Sequence, residues 1–393
     1  MSVNKERTNG VIIYDRFSKS YNYHYLMVVL MLLSAILGST IFGVAQVICE
    51  IVLFILLLYG VFHVKLNRLD KILLLTFLVI FLLSFFKNEF VSFALNFKIF
   101  GLFILTLVYF RKIHFYPGKL IFIVHLLNLL LTFHQFVTGH FIVESAWFFG
   151  PYKNYANVSP VGLFLAPHAN AFFVASFTIY LINYKRKHLQ AMFFFSFLLI
   201  IGSLTSFVAF MAQMAHQVLN YIMKKINFLK INLGWSTKLA IIAIPFLLLW
   251  FYADDLLVFL KQQGGYTRYY SAEIILDQLF DIRFFSDIFN VVPRNYMEYI
   301  IEQEATFATF GNEIGLVKIF VEGGFILGLI SLYALLSRLK YYNIFIFVSL
   351  LHYSFAINMP FMLFLIMMYN HELTIRDSLE NSLKGQQLNI KDA

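Results

Sequence analysis

Long apolar blocks alternate along the chain with short polar breaks, most of them basic. A helix needs about 20 apolar residues to cross a bilayer. Blocks suited to that task are expected as spans at 25–44, 46–64, 72–86, 90–110, 119–137, 161–183, 236–252, 314–337, 341–358 and 360–371. The stretch 191–223 is too long for one crossing. Lys185, Arg186 and Lys187 precede it, and Lys224, Lys225 and Lys230 follow it. If both clusters share one side, the stretch goes out and returns, and Gly202-Ser203 in its middle is the predicted break. The pattern predicts an all-α polytopic integral membrane protein with about 12 transmembrane helices and both termini cytoplasmic.

The expected organisation is a cytoplasmic tail over 1–24, transmembrane helices 1–9 over 25–252, a large extracytoplasmic loop over 253–313, helices 10–12 over 314–371, and a cytoplasmic tail over 372–393. The first 24 residues are polar and lack a signal-peptide core. A structureless loop of 61 residues is unusual, so 253–313 is expected to fold. It holds two predicted short helices. In 270–281, Ile274, Ile275, Leu276, Leu279 and Phe280 fall mostly on one side. Segment 293–303 opens on Pro293, a residue suited to a first helical turn.

Composition excludes the soluble alternatives. Apolar residues make up 60% of the chain and charged residues 13%, against about 45–50% and 25% in soluble domains. The net charge of +9 does not indicate nucleic acid, because the basic residues lie in short clusters between spans. Of 30 basic residues, 22 fall on the predicted cytoplasmic side, six outside and two within spans, which sets the orientation. The single cysteine, Cys49, excludes an intrachain disulfide.

The candidate chemistry sits where cations break that rule. Loop 253–313 carries ten carboxylates against Lys261, Arg268, Arg283 and Arg294. Each of these arginines either pairs locally or binds an anion from outside, for which a guanidinium fork is suited. Arg268 follows Gly264-Gly265 and lies among Tyr266, Tyr269 and Tyr270. Asn312 and Glu313 precede the tenth span. Glu313 could take a proton from an acceptor hydroxyl, or serve as an ordinary first-turn carboxylate. Lys318 and Glu322 are spaced i, i+4 inside that span, as an ion pair or as a polar lining. In the sixth span, Pro167 kinks the helix, and His168 and Asn170 lie roughly 10–14 Å below its start at 1.5 Å per residue. They read either as a cavity lining or as interhelical hydrogen-bond partners, with Lys153 an outside cation nearby. Glu50 and Lys98 are expected to pair with each other. No spacing of metal ligands and no glycine-rich phosphate loop is present, so neither metal nor cofactor is expected.

These features together resemble the bacterial polysaccharide polymerases of the O-antigen polymerase (Wzy) type, in the wider group that includes the O-antigen ligases. The family has 10–14 spans, a large periplasmic loop in its C-terminal half, and a motif at the start of the next span. Here that motif reads GNEIGLVKIFVEGGFILGLI (311–330), where Asn312 matches and Gly311 stands in place of the usual His. The loop arginine before an amphipathic helix is matched by Arg268 in GGYTRYYSAEIILDQLF, and GLFLAPHANAFF (162–173) resembles an earlier family span. GSLTSF (202–207) lacks the arginine of the family's Ser-Arg hairpin.

The resemblance implies a GT-C-like fold and a metal-independent glycosyltransferase in the bacterial cytoplasmic (inner) membrane. Its donor and acceptor would be oligosaccharides on undecaprenyl diphosphate. Arg268 would act first on the leaving diphosphate, with Arg283, Arg294 and Lys153 assisting and Asn170, Asn312, Lys318 and Glu322 contacting substrate. Glu313, then His168, would be the general base. Implied partners are membrane lipid, a chain-length regulator and a flippase. An O-antigen ligase acting on lipid A-core, or a flippase or exporter, stays open as an alternative. Sugar, linkage and the choice of O-antigen or capsule are left open.

Overall fold

The computed structural model describes residues 7–8, 11–13, 19–37, 43–85, 90–111, 113–140, 159–164, 167–184, 187–228, 315–351 and 355–391. The body is helical. The elements are α1 Lys19–Leu37, α2 Gly43–His63, α3 Arg68–Phe85, α4 Phe90–Tyr109, α5 Gly118–Thr138, a 3-10 turn Gly162–Phe164, α6 Pro167–Asn183, α7 His188–Ile201, α8 Leu204–Phe228, α9 Gly315–Arg338, α10 Asn343–Leu350, α11 Phe355–Asn358 and α12 Pro360–Lys391. Among the described residues, two helices are long and apolar enough to cross a membrane: Val44–His63, with mean hydropathy 2.4, and Gly118–Thr138, with mean hydropathy 1.9. The expected ninth span, 236–252, and the loop 253–313 with its two short helices lie outside the described residues.

The reversal predicted at Gly202-Ser203 is present. Gly202 takes the left-handed conformation (φ 70°) that ends α7, and its N–H bonds Leu198 O. Both arms of this hairpin pack on α6.

Three expectations are revised. The tenth span is not one continuous helix, because Gly324 breaks α9 with φ 71° and ψ 171°, a conformation open to glycine and strained for other residues. The eleventh span, 341–358, is divided into α10 and the four-residue α11. At the other boundary, α12 does not stop at 371: it is 32 residues long, Pro360–Lys391, and runs through the expected tail. The all-α class holds, with one small sheet of two- and three-residue strands beside the helices. β1 (Arg7–Thr8) pairs antiparallel with β2 (Val11–Ile13), which runs parallel to β3 (Ile113–His114).

Two helices form the core. Every residue from Phe100 to Phe110 at the end of α4 is buried, as is nearly all of α6 from Ala169 to Leu181. The others surround them. α2 turns Leu53, Leu57 and Val61 inward, yet its outward positions are equally apolar, with Ile55 59% and Phe62 79% exposed. A helix apolar on both faces suits hydrocarbon on the side that no neighbour covers.

One end of the bundle, here the basic end, is tied by Asp70, whose carboxylate is buried. Asn67 and Asp70 form a reciprocal capping box on α3: Asp70 N–H donates to Asn67 Oδ1 (2.7 Å) and Asn67 N–H to Asp70 Oδ2 (2.9 Å). The same carboxylate accepts from Arg111, just past α4, and from Arg338 at the end of α9. Arg338 Nη1 also donates to Leu107 O (3.1 Å), and Arg338 O accepts from Asn370 Nδ2 of α12 (3.0 Å). Three helix ends therefore meet at one carboxylate, and Arg338 ties α12 to them. Removing one partner of a buried charge pair costs about 3–5 kcal/mol, because the remaining charges lose their compensation. An Asp70→Asn variant is expected to lose stability on that scale. Thermal unfolding of the full chain in detergent measures it, and an unchanged midpoint would contradict the assigned role.

Candidate functional site

α5 is amphipathic in the inverse sense. It buries His125, Asn128, Thr132 and Gln135 along with Ile121 and Val124. It exposes Phe122, Leu130, Phe133, Phe136 and Val137, each more than half exposed. The polar positions recur at intervals of three, four and three residues, so they share one helical face. That spacing is legible in HLLNLLLTFHQ, but the hydropathy of the block as a whole obscures it.

The polar face of α5 holds the segment that leads into α6. Gln135 Oε1 accepts the backbone N–H groups of Val161 and Gly162, both at 2.9 Å. Asn128 Oδ1 accepts that of Leu163 at 2.9 Å. Three successive backbone donors are thus satisfied by two side chains, which a buried non-helical segment requires. Asn170 of α6 completes the network. Its Oδ1 accepts from Asn128 Nδ2 (2.8 Å), and its Nδ2 donates to Thr132 Oγ1 (3.0 Å) and Pro160 O (3.2 Å). Gly162 has φ 61°, and a Cβ there would sit 2.5 Å from Asn128 Oδ1. Lower on the same face, the His125 ring lies between Phe173 and Phe177, with centroids 4.3 and 3.8 Å away, and its Nε2 is 2.8 Å from the Tyr369 hydroxyl.

The structure separates the expected pair His168 and Asn170. Residues two positions apart on a helix are turned about 200° from each other. Asn170 faces α5 and is fully buried, with both amide donors engaged by protein groups. Of its two expected readings, these contacts show the interhelical hydrogen-bond partner. His168 is half-buried and faces the hairpin turn, its Nδ1 3.1 Å from Ser203 Oγ. Ser203 Oγ in turn lies 3.4 Å from Ser206 Oγ. This group is at the end of α6 opposite the basic end, where the far terminus of α6 bonds α12: Tyr180 donates to Glu372, and Arg376 Nη2 to Asn183 O (2.8 Å).

Glu50 and Lys98 form the expected ion pair. Ser34 Oγ (2.9 Å) and Gln46 Nε2 (2.8 Å) also donate to Glu50 Oε1. Lys318 and Glu322 fall one turn apart on α9, just before its break, and their side chains lie outside the description. Lys153, Arg268, Arg283, Arg294, Asn312 and Glu313 also lie outside the described residues. Among the described residues, no three His, Cys, Asp or Glu side chains gather as a metal site.

Compared with known protein families, characterised proteins and solved structures, the chain gives no match to any of them.

Two substitutions test the network. Asn170→Ala leaves the buried Asn128 and Thr132 groups short of partners, at a cost of about 1–3 kcal/mol. Gly162→Ala adds backbone strain of about 1–3 kcal/mol together with the steric conflict. Both should lower the thermal midpoint in detergent, whereas wild-type melting would show that the segment is held by other contacts.

Proposed function

We propose that the chain is a multi-pass enzyme of the bacterial cytoplasmic membrane that polymerises a lipid-linked polysaccharide repeat unit at the outer face. The observation that carries this reading is a sequence juxtaposition. A 61-residue acidic segment holds Arg268 in GGYTRYYSAEIILDQLF and leads directly into GNEIGLVKIFVEGG. The inverse polarity of α5 supports the membrane setting. The orientation draws support from the basic end, where Asn67, Arg111 and Arg338, all at connections assigned to the cytoplasm, meet at Asp70, and where β3 pairs with the N-terminal strand β2.

In the proposed reaction an acceptor hydroxyl on one carrier-linked repeat attacks the anomeric carbon of the growing glycan. The new glycosidic bond forms as the bond to the undecaprenyl diphosphate oxygen breaks. Arg268 stabilises the charge developing on that diphosphate, with Arg283, Arg294 and Lys153 assisting. Glu313 takes the acceptor proton, with His168 as the second candidate base. Asn312, Lys318 and Glu322 contact the bound glycan.

Cells carrying an Arg268→Ala variant that inserts normally should accumulate glycans of a single repeat length. Polymerisation by the purified variant should fall at least about 100-fold, the scale for loss of one donor to a developing anion. Wild-type chain lengths from the variant would remove Arg268 from the mechanism. Purified wild type given carrier-linked repeats should build a ladder without nucleotide. Movement of intact substrate across vesicles would instead identify an exporter, and transfer to lipid A-core a ligase.

A further inference from the structure

The basic end contains a cavity of about 290 Å³, with Asn67, Arg111, Ser337, Arg338 and His371 among its lining residues. Buried Leu339 and Met367 form part of the same wall, so the lining joins cationic and apolar surface. Two observations point to an anion there. The first is charge. Arg111 and Arg338 share the single carboxylate of Asp70, leaving one positive charge uncompensated, and no carboxylate is among the lining residues described. The second is an unmet donor. Arg111 Nε is buried and has no hydrogen-bond partner among the described residues. A buried guanidinium N–H without an acceptor is costly, so an acceptor from outside would be stabilising there.

His371 also lines this wall, with its Nε2 2.9 Å from Phe110 O. Nearby Tyr116 stays a neutral phenol, since burial and then the carboxylate of Glu372 push its hydroxyl up to about 12. The solvent-exposed Lys65, in the connection beside Asn67, and Arg68 and Lys71, in the first turn of α3, add to the positive field at the mouth. The mouth itself is formed by exposed Asn67 and Ser337.

We propose that this cavity binds a phosphate-bearing anion, a phosphodiester or free phosphate, between the guanidiniums of Arg111 and Arg338. A guanidinium fork matches phosphate oxygens in pairs. Basic pockets between helices at the cytoplasmic side of a membrane suit acidic lipid head groups, and apolar Leu339 and Met367 suit the glycerol and first methylenes of such a lipid. The site is at the end of the bundle opposite His168, so it is separate from the proposed transfer chemistry.

Native mass spectrometry of the full chain in neutral detergent tests this with three probes: phosphatidylglycerol, phosphatidylcholine and inorganic phosphate. Wild type should bind phosphatidylglycerol at least about fivefold more tightly than phosphatidylcholine, the value of one net basic charge near a head group. Equal affinities for the two lipids together with no binding of inorganic phosphate would overturn the proposal without recourse to any variant. Ser337→Glu places a carboxylate in the lining and leaves the contacts of Asp70 intact, so it should erase the preference. Ser337→Gln, of similar size, should retain it. A preference that survives Ser337→Glu in a normally eluting protein would move binding elsewhere and sink the assignment. Competition settles the source of the anion. Displacement of phosphatidylglycerol by inorganic phosphate identifies a soluble phosphate site, and persistence of the lipid adduct identifies the phosphodiester.

Discussion

Asp70 has a single charge and more obligations than one charge can meet. It caps α3, receives the guanidinium that follows α4, and receives the guanidinium that ends α9. Arg338 extends the junction to α4 through Leu107 O and to α12 through Asn370. Asn370 then fixes the backbone of Tyr341, from which α10 departs. Helices distant in sequence therefore end at a common level because their terminal polar groups share partners. In apolar surroundings such partners are not interchangeable with water, and this is why the junction governs where each helix stops.

The opposite end is built by different means. There the partners are amides and hydroxyls, and the segment they hold is irregular backbone from 160 to 163. Neutral amides satisfy such backbone without the desolvation cost of a buried ion. The contrast separates a charged, mutually braced end from one whose polar groups include half-buried His168 beside the serines of the hairpin turn. α9 reaches the braced end as a straight segment only from Gly324 onward, since its backbone breaks there.

The elements legible in the sequence were those set by block length and by sharp local signals. The helices from α1 to α8 follow apolar blocks, and Gly202-Ser203 marked the hairpin because glycine alone reverses the chain there at little cost. The Glu50–Lys98 pair was legible because two isolated charges in apolar blocks have few alternatives. What was hidden depended on three-dimensional neighbours. Arg111 and Arg338 read as orientation signals, which local sequence cannot distinguish from ligands of a buried carboxylate. The division of 341–358 and the extension of α12 past 371 reflect packing and surface helicity that hydropathy does not encode. His168 and Asn170 looked like one polar pair because they are close in sequence, yet helical geometry turns them apart. Of the remaining site candidates, those on 253–313 rest on sequence alone.

The inverse polarity of α5 has a mechanical consequence. A helix apolar on all sides can turn about its own axis among similar neighbours with little change in solvation. α5 cannot, because a turn of one residue, about 100°, would carry Asn128, Thr132 and Gln135 away from their partners and toward the outward face. The helix is keyed in rotation as a shaft is keyed in a hub. The segment attached to Gln135 and Asn128 inherits that fixed azimuth, and so does the first turn of α6. The direction in which His168 points is thereby set in part by residues on a different helix.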